Sequence, residues 1–212
     1  YILSFAHKDK SFIFDAYLEH SNERISSAAL FCLAREAKHN YSLKQRYSLL
    51  DRISKSLVNI EKNKDNISYL ETVIEILGVA NMPIYYNKLI EFLNHENEEI
   101  VMTTIKSIGS TIDPNLGQHI IPFLEQKKYR PTVIEAFKQY GPQILPLLRK
   151  NVQQRLQPLS VIRFIPMAMQ SFYSKEAVHQ LLGILTDNDL TVRLEVVRAL
   201  SAIRSTHPQL KF

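Results

Sequence analysis

Tryptophan is absent from this 212-residue chain, glycine occurs five times and cysteine once. Few glycines mean few turns that need a positive φ, which argues against a many-stranded β protein and for a chain that is mostly helix. The single cysteine, Cys32, excludes an internal disulfide, and its place in the run AALFCLA reads as a small core residue rather than a reactive thiol. No run of eighteen apolar residues exists, so no segment is suited to spanning a membrane. Long blocks of one charge are also missing. Lys and Arg number 26 against 21 Asp and Glu, a net charge of +5, and the densest basic stretch is Gln126-Lys127-Lys128-Tyr129-Arg130. A dedicated nucleic-acid binder carries a denser basic stripe. This balance permits an acidic partner without requiring one.

What is present is ordinary globular composition, 45% hydrophobic and 22% charged, in a chain long enough to bury a substantial core. The chain opens on Tyr1, carries no signal-peptide pattern and ends at Phe212 shortly after Pro208. The expectation is a module of a longer protein, a processed mature protein being the alternative. One cysteine fits a reducing compartment, so the expected location is cytoplasmic, with the soluble part of a membrane-anchored protein as the other possibility.

A seven-residue interval returns three times: Leu18 to Ile25, Leu93 to Ile100 and Leu185 to Val192. A short polar stretch fills each interval (EHSNER, NHENEE and TDNDLT), and apolar or small residues follow at helical spacing. After Val192 these are Val196, Ala199, Leu200 and Ile203. The pattern predicts a helix, a tight turn and a second helix. The leucines closing the first helices would be Leu18, Leu57, Leu93, Leu124, Leu148 and Leu185, spaced by 39, 36, 31, 24 and 37 residues. A two-helix repeat needs roughly 25 to 45 residues. A second internal match aligns Gly117, Pro122 and Leu124 with Gly141, Pro146 and Leu148, each 24 residues on.

The hairpins follow in order. The first pairs Phe12–Glu19 with Glu23–Lys38. The second has one long helix from Ser42 to Ile60, with apolar Leu43, Tyr47, Leu50, Ile53, Leu57 and Ile60, then a helix carrying Ile67 to Leu77 that ends at Asn81-Met82-Pro83. The third carries Tyr86, Leu89, Ile90 and Leu93, then a helix from Glu99 to about Thr111, and Asp113-Pro114 closes it. The fourth covers Leu116–Tyr140, where Pro122 is expected to kink its helix. The fifth runs from Gly141 to about Phe172, with Pro158 starting its second helix. The sixth spans Ser174–Ser205 and is expected to use Asp187 or Asp189 as an N-cap. No Gly/Ser linker divides the chain, and a hairpin alone cannot cover its apolar stripe, so residues 1–212 read as one continuous domain. The expected fold is all-α, a right-handed α–α superhelix of five to six stacked hairpins.

The segment Leu181 to Leu200 resembles the HEAT repeat of the α-solenoid group. Its leucine-rich first helix, Asp-bearing turn, Val192-Arg193 and Ala199-Leu200 match the family pattern. The first hairpin matches through Arg24-Ile25 and Ala28-Ala29-Leu30, the third through Ile100-Val101 and Ile108-Gly109. His20 and His95 stand where the last repeat has Asp187, and Ser26 and Val101 where it has Arg193. The resemblance implies a curved solenoid with its second helices on the concave side, and a binding role. Some relatives are modules of larger proteins, bacterial membrane transporters among them, and a few helical-repeat relatives are enzymes.

No catalytic or metal-binding motif emerges. The histidines His7, His20, His39, His95, His119, His179 and His207 form no His-x-x-x-His pair and no Cys–His ligand spacing. His20 and His95 share a turn position and read as solvated turn residues. Gly109-Ser-Thr111 lacks the spacing and lysine of a phosphate loop and reads as a helix end. Asp187 and Asp189 have the spacing of a calcium loop without its glycine and terminal Glu. Phe172, Tyr173, Met167 and Met169 read as core packing. No cofactor is expected. The function expected is a non-catalytic scaffold for a protein partner or another domain of the same polypeptide. Alternatives are a cytosolic regulatory module of a bacterial membrane transporter and, less favoured, a helical-repeat enzyme acting on nucleic acid. If second helices line the concave face, Lys106, Lys138, Arg163, Arg198 and Arg204 are the candidates to touch a partner's carboxylate or phosphate. The competing reading is a solvated face of i,i+3 and i,i+4 charge pairs.

Overall fold

The computed structural model describes residues 11–210, and every regular element among them is a helix. The α-helices are α1 (Ser11–Leu18), α2 (Glu23–Glu36), α3 (Tyr41–Arg46), α4 (Leu49–Val58), α5 (Ile67–Ala80), α6 (Tyr86–Phe92), α7 (Glu98–Thr111), α8 (Pro114–Gly117), α9 (Arg130–Tyr140), α10 (Leu145–Gln153), α11 (Leu159–Ile162), α12 (Ile165–Gln170), α13 (Lys175–Leu182) and α14 (Leu190–Thr206). Short 3-10 helices cover Pro83–Tyr85, Gln118–Leu124 and Gly141–Ile144. The chain packs as two compact units, one ending at Thr111 and the other beginning at Ile112. His7 lies outside the described residues.

In the first unit α1 packs on α2, α4 on α5 and α6 on α7, while α2 packs on α5 and α5 on α7. The three later partners, α2, α5 and α7, are each 14 residues long. Sequence explains their starts. Asn22 and Asn66 cap α2 and α5 by accepting from Arg24 and Tyr69 N–H, which satisfies amides that lack an intrahelical partner. Glu23 in the first turn and Arg35 in the last suit the dipole of α2. Helices α5 and α7 approach closely. Thr103 Oγ1 donates to Glu71 at 3.0 Å, and a Cβ on Gly78 would stand 2.7 Å from the Ser107 carbonyl oxygen. The two contacts advance together along both helices, so α5 and α7 run parallel.

The expected single helix from Ser42 to Ile60 is two helices. Ser48, with φ 45°, breaks it between α3 and α4. The break shifts the phase of the apolar face: Leu49 and Ile53 are fully buried, and Leu50, expected inside, is 46% exposed. Arg52 Nε donates to the Tyr47 carbonyl at 3.1 Å and so satisfies an acceptor at the break. Helix α5 ends at Asn81, whose φ of 49° makes a left-handed cap, and Pro83 instead opens the short 3-10 helix that follows.

The second unit is built from shorter pieces. Helix α9 packs on the Gln118–Leu124 turn and on Gly141–Ile144, α10 packs on α12 and α13, and α14 packs on α12 and α13. Pro122 does not kink an α-helix, because its segment is 3-10 helical. The 24-residue match holds in the core: Ile120, Ile121 and Leu124 are buried, as are Ile144, Leu145 and Leu148. It fails at the glycines, where Gly117 is helical and Gly141 has φ 70° and ψ −168°. Pro158 does precede a helix, but the expected second helix of that hairpin divides into α11 and α12 around Arg163 and Phe164.

Scarce glycine does not mean scarce positive φ. Ser48, Asn81, Ile112, Arg155 and Tyr173 all take φ between 45° and 60°. Each follows a helix, where glycine is the usual occupant. Tyr173, expected in the core, is 38% exposed, and its ring lies against His207 with centroids 4.7 Å apart. Met169 is buried as expected, while Met167 and Phe172 are half-buried. Cys32 is buried and free.

Candidate partner-binding surfaces

The three polar turns between paired helices share one hydrogen-bond scheme. His20 Nδ1 accepts from Asn22 N–H at 3.0 Å, and Asn22 Oδ1 accepts from Arg24 N–H at 3.0 Å. His95 Nδ1 accepts from Asn97 N–H at 3.0 Å, and Asn97 Oδ1 accepts from Glu99 N–H at 2.8 Å. Asp187 accepts from Asp189 N–H at 2.8 Å, and Asp189 accepts from Thr191 and Val192 N–H at 2.8 and 3.1 Å. An acceptor at one position and a cap two residues later therefore recur as His-x-Asn, His-x-Asn and Asp-x-Asp. Of the two aspartates expected as alternative caps, Asp189 is the N-cap of α14, and Asp187 accepts from the Asp189 amide. The histidines are more than solvated turn residues, since their Nδ1 atoms hold the turns closed.

The beat itself is uneven. Ile100 and Val192 are fully buried, but Ile25 is 39% exposed. Asp187 also reaches back to Arg155 in an ion pair of 2.5 Å, and Arg193 donates to the Asp187 carbonyl at 3.1 Å. The Asp187 side chain is only 9% exposed, so this pair is less screened than a surface one.

The five basic candidates differ in their surroundings. All are exposed. Lys138 pairs with Glu135 at 3.4 Å and Arg198 with Glu195 at 2.6 Å, both i,i+3. Arg204 lies in the last turn of α14, where a cation suits the helix dipole. Lys106, on α7, acts on Glu75 of α5: burial, then the Glu71 carboxylate, hold Glu75 above the usual carboxylate range, and the Lys106 charge opposes them. Arg163 lies over the Phe164 ring, its guanidinium carbon 4.9 Å from the centroid. No described ion pair or ring contact joins any two of the five.

Arg163 instead has a neighbour the sequence did not suggest. The guanidinium carbon of Arg130 stands 3.6 Å from the same Phe164 centroid. Arg130 Nε donates to the Leu124 carbonyl at 2.6 Å and Nη2 to the Glu125 carbonyl at 2.9 Å. Burial, and after it the Arg163 charge, lower the Arg130 pKa.

Between α2 and α5 runs an open groove of about 490 Å³. Arg24, Phe31 and Cys32 line one side, and Tyr69, Thr72 and Glu75 the other. Tyr69 is anchored by donating its hydroxyl to the Ser56 carbonyl at 2.9 Å. Sequence reading placed binding on second helices but did not find this groove. Its lining residues repeat at helical spacing on two separate helices, and only their packing brings the two rows together.

Among the described residues no group of three or more His, Cys, Asp or Glu side chains is placed to hold a metal ion. Nor is any helix there long and apolar enough to cross a membrane. No protein-family model matches the chain, and no curated protein matches it. Two crystal structures of engineered proteins are similar over most of its length. One is 16% identical, covers 93% of this chain and all of its own, and has a TM-score of 0.40; the other is 15% identical, with coverages of 93% and 98% and a TM-score of 0.38. Neither likeness bears on function.

Proposed function

We propose that this protein is a non-catalytic interaction scaffold that binds a segment of a protein partner in the groove between α2 and α5. The groove carries the reading: it offers aromatic, hydroxyl, cationic and carboxylate groups side by side. Such a mixture suits an extended peptide, which needs both apolar contact and orienting polar groups. The repeat architecture belongs to the same proposal. We read the hairpins as a right-handed α–α stack of five to six units of the HEAT type, with cytoplasmic location. Packing of α2 on α5 and of α5 on α7, the parallel course of the latter pair and the thrice-used turn support it.

The test begins with peptides selected from a displayed library on the immobilised chain and titrated by calorimetry. Thr72 is half-buried on the groove wall, so Thr72→Arg fills the groove without touching the fully buried core. Selected peptides should bind the parent chain saturably and the variant about tenfold or more weakly. Equal affinity for both, with circular dichroism unchanged, would remove the groove from the proposal.

A further inference from the structure

The pair Arg130 and Arg163 has no counterpart elsewhere among the described residues. Two other arginines of the second unit have carboxylate partners: Arg155 meets Asp187 and Arg198 meets Glu195. Arg130 and Arg163 share one aromatic ring, and neither has a carboxylate within ion-pair distance among the described residues. Burial, and after it the Arg163 charge, lower the Arg130 pKa, so the two guanidinium groups on this ring repel each other, and an anion reached by both would remove that cost.

The two members are held differently. Arg130 is half-buried and fixed by two backbone carbonyls and the Phe164 face, which spends its Nε–H and one Nη2–H. Its remaining three N–H groups are free to donate. Arg163 is exposed and its side chain has no described hydrogen bond or ion pair, so its donors are all available. Lys127 and Lys128 precede Arg130 in the same turn and add positive charge, with the Lys128 ammonium over the Tyr129 ring at 4.7 Å. One carboxylate is matched by one bidentate arginine. Two arginines with eight free donors match a dianion with three acceptor oxygens, which is the charge and shape of a phosphate monoester.

We infer that Arg130 and Arg163, joined over Phe164, form a binding site for a phosphate monoester carried on the side chain of a peptide partner. The choice of a peptide rests on the scaffold reading above. The mild net charge of +5 disfavours a nucleic-acid backbone as the source.

The probe is a fluorescein-labelled nonapeptide with one phosphoserine among glycines and serines, followed by fluorescence anisotropy at low salt. Arg163→Gln is the main variant, because Arg163 is exposed and its side chain makes no described hydrogen bond. Arg163→Lys keeps the charge and loses the planar fork. The phosphopeptide should bind saturably, the unphosphorylated peptide should not, and Arg163→Gln should weaken binding about tenfold or more. Arg163→Lys should fall between parent and Gln.

Saturable binding that is equal for both peptides, or untouched by Arg163→Gln, would overturn the site. So would absence of binding to the folded parent. Competition by inorganic phosphate at the same concentration as the peptide would overturn the peptide as source in favour of a free phosphate. Tighter, Arg163-dependent binding of a DNA duplex would overturn it in favour of nucleic acid. Thr72→Arg should leave phosphopeptide binding unchanged, since it tests the groove in the other unit. Failure of the phosphate site is therefore read separately from failure of the groove.

Discussion

The two units solve the same packing problem with different material. Eight of the nine prolines lie after Thr111, and the first unit has only Pro83. The first unit can therefore run three uninterrupted 14-residue helices side by side. The second is divided into pieces of 4 to 11 residues before α14, with 3-10 turns at Gln118–Leu124 and Gly141–Ile144. Proline supplies no amide donor and crowds the preceding turn, so a helix interior is costly for it while a first turn is not. Pro114, Pro131, Pro146 and Pro166 all stand in the first turn of a helix. Long helices allow backbones to approach, as at Gly78 and Ser107. In the second unit Phe137, on α9, is the largest fully buried side chain of the described residues.

That contrast can be broken at its strongest point first. Phe137→Ala should cost about 3–5 kcal/mol, read as a lower urea midpoint, because the short surrounding helices cannot all close on the cavity. A loss under about 1.5 kcal/mol would mean that the second unit collapses around the deletion.

Glycines test close approach directly. Gly78→Ala places a Cβ against the Ser107 backbone and should cost about 1–3 kcal/mol. Gly183→Ala meets only the guanidinium end of Arg149, 2.5 Å away, which can swing aside; its cost should stay below about 1 kcal/mol. Thermal melting of the two variants decides the matter, and equal losses would contradict the distinction.

The shared turn gives a finer comparison. Asp187→Ala removes an ion pair and a charged acceptor and should cost about 1.5–3 kcal/mol. His95→Ala removes one neutral acceptor and should cost about 0.5–1.5 kcal/mol. Amide exchange at Asn97 and Asp189 would report each turn by itself. Parity between the two would show that Arg155 contributes nothing.

The smallest effect belongs to Glu75. Its carboxyl is held above the usual range by burial and by Glu71, so the folded state retains a proton that the unfolded chain releases first. Stability from this group therefore declines as pH rises through and above the ordinary carboxylate range, and is unaffected below it. Glu75→Gln should stabilise slightly at neutral pH, by about 0.5 kcal/mol or less on a solvent-screened surface, and not at all in acid. A gain of the same size at both pH values would assign it to packing rather than charge.

Sequence by itself determined the helical class, several helix starts and much of the buried set. Each of these is a local property. Asn22, Asn66, Ser174 and Asp189 cap because their side chains reach amides two or three residues away. The buried trios at 120, 121 and 124 and at 144, 145 and 148 were legible as a 24-residue repeat. Tertiary structure decided the break at Ser48, the exposure of Ile25 and the left-handed residues after five helices. Asn81 is a residue type that suits such a cap, but Ser48, Ile112, Arg155 and Tyr173 carry no local pattern that announces it. Tertiary structure also decided both candidate surfaces. The α2–α5 groove needs two helices whose starts are 44 residues apart in sequence, and Arg130 is brought to Arg163 by the Phe164 ring that both pack on. A charge shows its sign in the sequence; its neighbours, and hence the ligand it can hold, are set by the fold.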